Sequence, residues 1–132
     1  MIPHIYQSPG SNSLTGCIDT TITTNECTTL TPITITAWTW VHYFISIDSA
    51  TNELRLCLTF WRGTSTCSVA TFLGEIIPFD QNSIAYIGGS PYQDGIIGKF
   101  VDLRYYDTSS YTTTQAEVLA LNRICDAACW HS

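Results

Sequence analysis

Trp40-Val41-His42-Tyr43-Phe44-Ile45-Ser46-Ile47-Asp48 and, after Ser49-Ala50-Thr51-Asn52, Glu53-Leu54-Arg55-Leu56-Cys57-Leu58-Thr59-Phe60 are the stretches that decide the fold. In the first, Val41, Tyr43, Ile45 and Ile47 alternate with His42, Phe44 and Ser46, the period of a β-strand whose side chains point to opposite faces. Both faces carry bulk, so the pattern predicts an inner strand. In the second, Leu54, Leu56 and Leu58 alternate with Arg55, Cys57 and Thr59, and Asp48 to Asn52 is a cluster of turn formers. The two stretches therefore read as an antiparallel hairpin. Trp61-Arg62-Gly63-Thr64-Ser65 supplies the next reversal, and a Cys57–Cys67 disulfide would clamp its arms, contributing about 3 kcal/mol in the chain-entropy description.

Moving outward, the same punctuation continues in both directions. Downstream, strands are expected at Ala70–Ile77, Ile84–Ile87 and Gly98–Tyr106, separated by Pro78, Asp80, Gly88, Gly89, Pro91 and Gly95. One short helix is expected at Thr113–Asn122, with an N-cap hydroxyl, Glu117 in the early turns and Val118 and Leu121 on one face. Upstream, Cys17 to Thr36 is dense in Thr, and Ile33-Thr34-Ile35-Thr36 alternates as a half-buried strand does. Hydroxyls between Thr20 and Thr31 suit either strand packing or O-glycosylation. Residues 1–16, with Pro3, Pro9, Gly10, Ser11, Asn12 and Ser13, read as an extended N-terminal arm without a core of its own. The fold class is all-β, an antiparallel β-sandwich with one short C-terminal helix.

The order of these pieces resembles the concanavalin A-like superfamily, in its laminin G and pentraxin-like jelly rolls. Trp40 to Asp48 is similar to the family strand in which a Trp and then a His precede an Asp-led turn, and Asn52-Glu53-Leu54-Arg55-Leu56 to the strand that follows. Ile84-Ala85-Tyr86-Ile87-Gly88-Gly89 resembles the family's Ile-Gly-Gly strand end. Gly95 to Tyr106, with Asp102-Leu103-Arg104, resembles its Gly-x-x-Gly and Asp-Leu-Arg-x-Tyr segment. The likeness spans residues 40–122 and implies one concanavalin A-like domain over 17–132. Two features depart from it. Thr59-Phe60-Trp61-Arg62-Gly63 replaces the family's Asn-Gly turn, and only about two strands' worth of sequence precedes Trp40. An incomplete sandwich leaves an edge open to strand addition, and Ile2, Ile5 and Tyr6 of the arm are the candidates to fill it, either in a neighbouring copy or by folding back to complete the chain's own sandwich.

Composition narrows the partners. The chain has 132 residues, enough for one domain burying roughly two-thirds of its unfolded surface, and a formal net charge of −6. Lys99 is its single lysine, and Arg55, Arg62, Arg104 and Arg123 are scattered. Nucleic acid and anionic membrane both require clustered cations, and no run approaches the ~20 apolar residues of a membrane span. Neither nucleic-acid binding nor membrane insertion is expected. Six cysteines, Cys17, Cys27, Cys57, Cys67, Cys125 and Cys129, fall into three local pairs, as in structural disulfides of a secreted protein. The absence of a Cys-x-x-Cys speaks against zinc and thiol redox chemistry. Met1 to Gly10 carries neither the basic start nor the apolar run of a signal peptide, so the numbering is expected to be that of a mature or partial chain.

Chemistry is sparse. Glucanases of the same superfamily need carboxylates closely set on one strand face, and no Glu-x-Asp-x-x-Glu occurs. His4, His42 and His131 lie far apart, and His42 suits packing better than general-base work. No catalytic residue and no enzyme activity are expected. No cofactor is called for; calcium is the one ion that loop oxygens at Asp80, Asn82 and Asp94 would suit. Trp61, Tyr92 and Tyr111 are loop aromatics suited to stacking on a sugar, whereas Trp38, Trp40, Phe44, Phe100 and Tyr105 are expected in the core. The expected function is that of an extracellular or cell-surface structural or adhesive module that self-assembles into an oligomer or fibre. The alternative is a glycan-binding lectin module of a larger protein.

Overall fold

The structure is a computed structural model, and it describes residues 4–7, 11–36, 38–60 and 65–77. The described residues form two three-stranded antiparallel sheets and no helix. Sheet one runs β1 (His4–Gln7), β2 (Leu14–Ile18), β3 (Glu26–Leu30), and sheet two runs β4 (Val41–Asp48), β5 (Glu53–Phe60), β6 (Ser65–Thr71). Each is a meander in which neighbours in sequence are neighbours in space. The strands expected at 84–87 and 98–106 and the helix at 113–122 lie outside the described residues.

The hairpin at the centre of the sequence forms as its alternation requires. Val41 pairs with Phe60 and Asp48 with Glu53. Asp48 begins the turn by accepting the Ala50 N–H at 2.8 Å, and Asn52 closes it at φ +53°, a conformation its short polar side chain tolerates. Leu54, Leu56 and Leu58 are fully buried on one face of β5. Among the described residues β4 pairs with β5, and both side chains on its outer face, His42 and Phe44, are half-buried. One expectation from the sequence needs correction. The strand expected at 70–77 lies earlier, at Ser65–Thr71, since pairing Cys57 with Cys67 fixes the register of β6.

The two sheets share a core. Leu14, Leu30 and Ile33 pack with Leu56 and Leu58, flanked by Ile5, Ile35, Val41, Tyr43, Ile45 and Phe60, while Ile18 packs with Leu54 and Phe72. Burial holds the Tyr43 phenol above the ordinary tyrosine range. Gly16 permits the close approach: a Cβ there would stand 3.1 Å from Ile45 Cδ1 and 3.5 Å from Leu56 Cδ1. Across the same interface the hydroxyls of Thr28 and Ser68 are 2.7 Å apart, satisfying each other where water is excluded.

A second connection ties the sheets at one end. The loop 19–25 meets the segment 72–77 through Thr21 N–H to Glu75 O (2.9 Å), Glu75 N–H to Thr21 Oγ1 (3.1 Å) and a single bridge between Thr20 and Ile76. Gly74 sits at this contact with φ +84°, and a Cβ there would fall 2.8 Å from Thr21 Oγ1. Only glycine meets both conditions without displacing the loop.

Two of the three disulfides expected between near neighbours, Cys17–Cys27 and Cys57–Cys67, are present. Each joins directly opposed residues with Cα atoms 4.1 Å apart. That separation is closer to a non-hydrogen-bonded antiparallel pair than to a hydrogen-bonded one, and side chains meet most readily there.

Candidate functional site

The first candidate is the slot that holds β1. Residues 4–7 pair in order with residues 17–14 of the same chain, so the N-terminal stretch docks on its own sheet. The domain boundary expected at residue 16 falls inside β2, because Leu14 and Thr15 already belong to the buried ladder. Ile5 turns inward against the Leu14 and Leu56 cluster. Tyr6 turns outward and stacks on His4, with ring centroids 5.5 Å apart and planes 19° from parallel. Behind Tyr6 lies Thr15, whose hydroxyl is 3.0 Å from that of Thr29. Polar contacts clip the connection to β2: Gln7 Nε2 donates to Ser11 O at 3.2 Å, and the Ser11 and Ser13 hydroxyls are 2.9 Å apart.

Asp19 closes the far end of β2. Its carboxylate accepts the Asn25 N–H at 2.8 Å, with Asn25 at φ +58°. This hydrogen bond holds the Asp19 carboxyl below the usual aspartate range. The outer face of sheet two presents an ion pair, Arg55 to Glu53, in which both Nε and Nη2 of Arg55 reach Glu53 Oε1, at 3.1 and 2.7 Å. Both partners are about one-third exposed, so the pair contributes little to stability. Among the described residues no three His, Cys, Asp or Glu side chains are placed to hold a metal, and no helix is long and apolar enough to cross a membrane.

The second candidate is Trp38. It was expected in the core and is instead fully exposed, at 103% of its reference area, in a turn with φ +66°. The strand pattern from Trp40 onward does not reach back to it, since the turn places Trp38 before the first residue of β4. A left-handed backbone at a bulky residue costs of the order of 1–2 kcal/mol, which marks the turn as a place to look for function. Trp40 and Phe44 are half-buried.

Of the arm residues, Ile5 and Tyr6 are placed in β1, whereas Ile2 lies outside the described residues. So do the sugar-contact candidates Trp61, Tyr92 and Tyr111, the calcium candidates Asp80, Asn82 and Asp94, the cysteines Cys125 and Cys129, and Phe100 and Tyr105. His42 lies half-buried opposite Thr59. Sequence reasoning missed the relation between the sheets. Adding 40 to each residue number in the β1–β2–β3 pairings gives the β4–β5–β6 pairings, so His4–Cys17–Cys27 becomes Phe44–Cys57–Cys67. The cysteine spacing carried that signal, together with Ile5/Ile45, Asn12/Asn52, Leu14/Leu54 and Thr31/Thr71 at the same offset.

Compared with family models, curated proteins and solved structures, the chain matches none of them.

Proposed function

We propose that the chain is a non-enzymatic, extracellular structural or adhesive module, a concanavalin A-like sandwich in fold, that assembles by exchanging its first strand between copies. The observation that carries this reading is the contrast between β1 and its counterpart β4. The two hold the same register position, yet β1 is four residues long and β4 eight. Among the described residues a shorter ladder and one inward apolar side chain, Ile5, hold β1 in place, so it is the strand most readily released and replaced by the same strand of a neighbour. The two disulfides support an oxidising location, and the low cation content leaves protein or glycan as the natural partner.

The test is sizing and negative-stain electron microscopy on the oxidised chain, on a chain lacking residues 1–7, and on one lacking residues 8–12. With one residue left between β1 and β2, too few for a hairpin loop, β1 cannot fold back onto its own slot and exchange is favoured, so that variant should shift to dimers or longer species. Removing residues 1–7 should abolish them. Monomers in all three, with β-sheet circular dichroism retained, would overturn the reading.

The glycan-binding alternative is favoured by one observation, the exposed indole of Trp38 on its turn. A sugar face stacks on such a ring. Retained glycan-array binding in Trp38→Ala would remove that support.

A further inference from the structure

We propose that Thr34 and Thr36 are sites of O-glycosylation. The inference rests on the extracellular reading above, and it comes from sorting the threonines of this Thr-rich chain by what their hydroxyls do.

The cluster Thr20–Thr31, the obvious place for sugars from sequence alone, is largely committed to structure. Thr20 and Thr28 are buried, the first receiving the Thr23 N–H at 3.0 Å and the second bonded to Ser68 across the sheets. Thr21 receives the Glu75 N–H, and Thr29 is bonded to Thr15. A transferase would have to break these contacts to reach the oxygens.

Residues 33–36 differ: Thr31 before them still donates its hydroxyl to Asn12 O, at 3.5 Å, but the two threonines that follow do not share this role. Ile33 is buried and Ile35 half-buried against the core, which throws Thr34 and Thr36 outward, both exposed. Neither hydroxyl makes a hydrogen bond among the described residues. The backbone is extended without belonging to a ladder: Ile33 N–H goes to Asn12 O (2.8 Å) and Thr36 O accepts the Thr39 N–H (3.2 Å). The segment is therefore anchored by alternate apolar side chains, and among the described residues no strand pairs with it, which leaves the outward Thr34 and Thr36 for a transferase groove. It carries no charge, and Pro32 stands at its head, a composition shared with glycosylated Thr/Pro stretches. The transfer forms a bond from the Thr Oγ1 to the anomeric carbon of a nucleotide-activated sugar; the nucleotide departs with the bonding pair and the hydroxyl proton passes to a base of the transferase.

The experiment is secretion of the chain from a eukaryotic host behind a cleavable leader. Intact mass is then measured, followed by fragmentation of the chymotryptic peptide 31–38. The expected result is whole-sugar mass increments on that peptide, lost in Thr34→Ala/Thr36→Ala and kept in Thr29→Val. Protein in the medium with oxidised cysteines and no sugar on the peptide overturns the site alone. Chain retained in the cell with free thiols overturns the extracellular reading, and the site falls with it.

Discussion

The two sheets are the same meander built twice, with equal register and a disulfide at the same rung, yet they bury their residues differently. Sheet two is centred on β5, where Leu54, Leu56 and Leu58 fill the inner face. Sheet one puts Leu14, Gly16 and Ile18 at the matching positions of β2, so Gly16 faces Leu56, its counterpart. One sheet supplies the bulk and the other makes room for it. The edges differ in the same sense, because β4 runs eight residues into a four-residue turn while β1 runs four into a longer connection. Equal topology thus yields one sheet that organises the core and one that is fastened to it. Even the strand exits keep the parallel: Asn52 O accepts the Phe72 N–H, and Asn12 O accepts the Ile33 N–H because the counterpart of Phe72 is Pro32, which has none to give.

The sharpest way to break this contrast is at the facing pair. Leu56→Ala should cost about 2–5 kcal/mol, since a fully buried side chain shared by both sheets is lost with little means of collapse. Denaturant unfolding of the oxidised protein measures it. A cost below about 1 kcal/mol would mean that β5 does not organise the core. Removing the bridges comes next. Cys17→Ser/Cys27→Ser and Cys57→Ser/Cys67→Ser close loops of the same length, so each pair should cost about 3 kcal/mol. Their consequences should differ in place. Amide exchange should accelerate through β1–β3 in the first, while in the second the long β4–β5 ladder should stay protected. Equal protection patterns would erase the distinction between organising and fastened sheets. Gly16→Val probes the pair from the other side. With Ile45 Cδ1 3.1 Å from a new Cβ, overpacking should cost about 1–3 kcal/mol in the same unfolding assay.

What was legible in the sequence follows the same division. The β4–β5 hairpin of sheet two was readable because its strands alternate over eight residues and meet in a turn of Asp and Asn, so local pattern and tertiary role agree, whereas β6, placed by the Cys57–Cys67 rung, was expected too late in the chain. The pairings Cys17–Cys27 and Cys57–Cys67 were readable because a disulfide between close neighbours needs only a reversal between them. Sheet one was obscured by its brevity. Four residues, His4 to Gln7, give no periodicity to detect, and Leu14-Thr15-Gly16-Cys17-Ile18 looks irregular until Gly16 is seen to face a leucine. Trp38 was misread because hydrophobicity predicts burial only where the backbone turns the side chain inward. Ile33-Thr34-Ile35-Thr36 shows the converse: its alternation predicted a strand, and the burial alternates as expected, but without a ladder. Period two reports which side faces the core, not whether a neighbour is hydrogen-bonded.

The gentlest test compares two aspartates that end corresponding stretches of the sheets. Asp19 lies buried at the close of β2, its carboxylate accepting the Asn25 N–H. Asp48 lies exposed at the close of β4, its carboxylate accepting the Ala50 N–H. Both carboxyls are held below the usual range, chiefly by those backbone donors. A group whose folded pKa lies below its unfolded value of about 3.9 binds fewer protons in the native state. Its stabilisation is therefore complete above that value and is lost as pH falls through the folded pKa. Denaturant midpoints followed from pH 7 to pH 2 should accordingly drop below about pH 4. Asp19→Asn should flatten that drop more than Asp48→Asn, because its hydrogen bond is made where water is scarce and fixes the loop that joins the two sheets at residues 75–77. If the two variants respond alike, the Asp19 carboxylate does no more than shape a surface turn, and the connection at this end of the sheets rests on the Thr21–Glu75 and Thr20–Ile76 contacts.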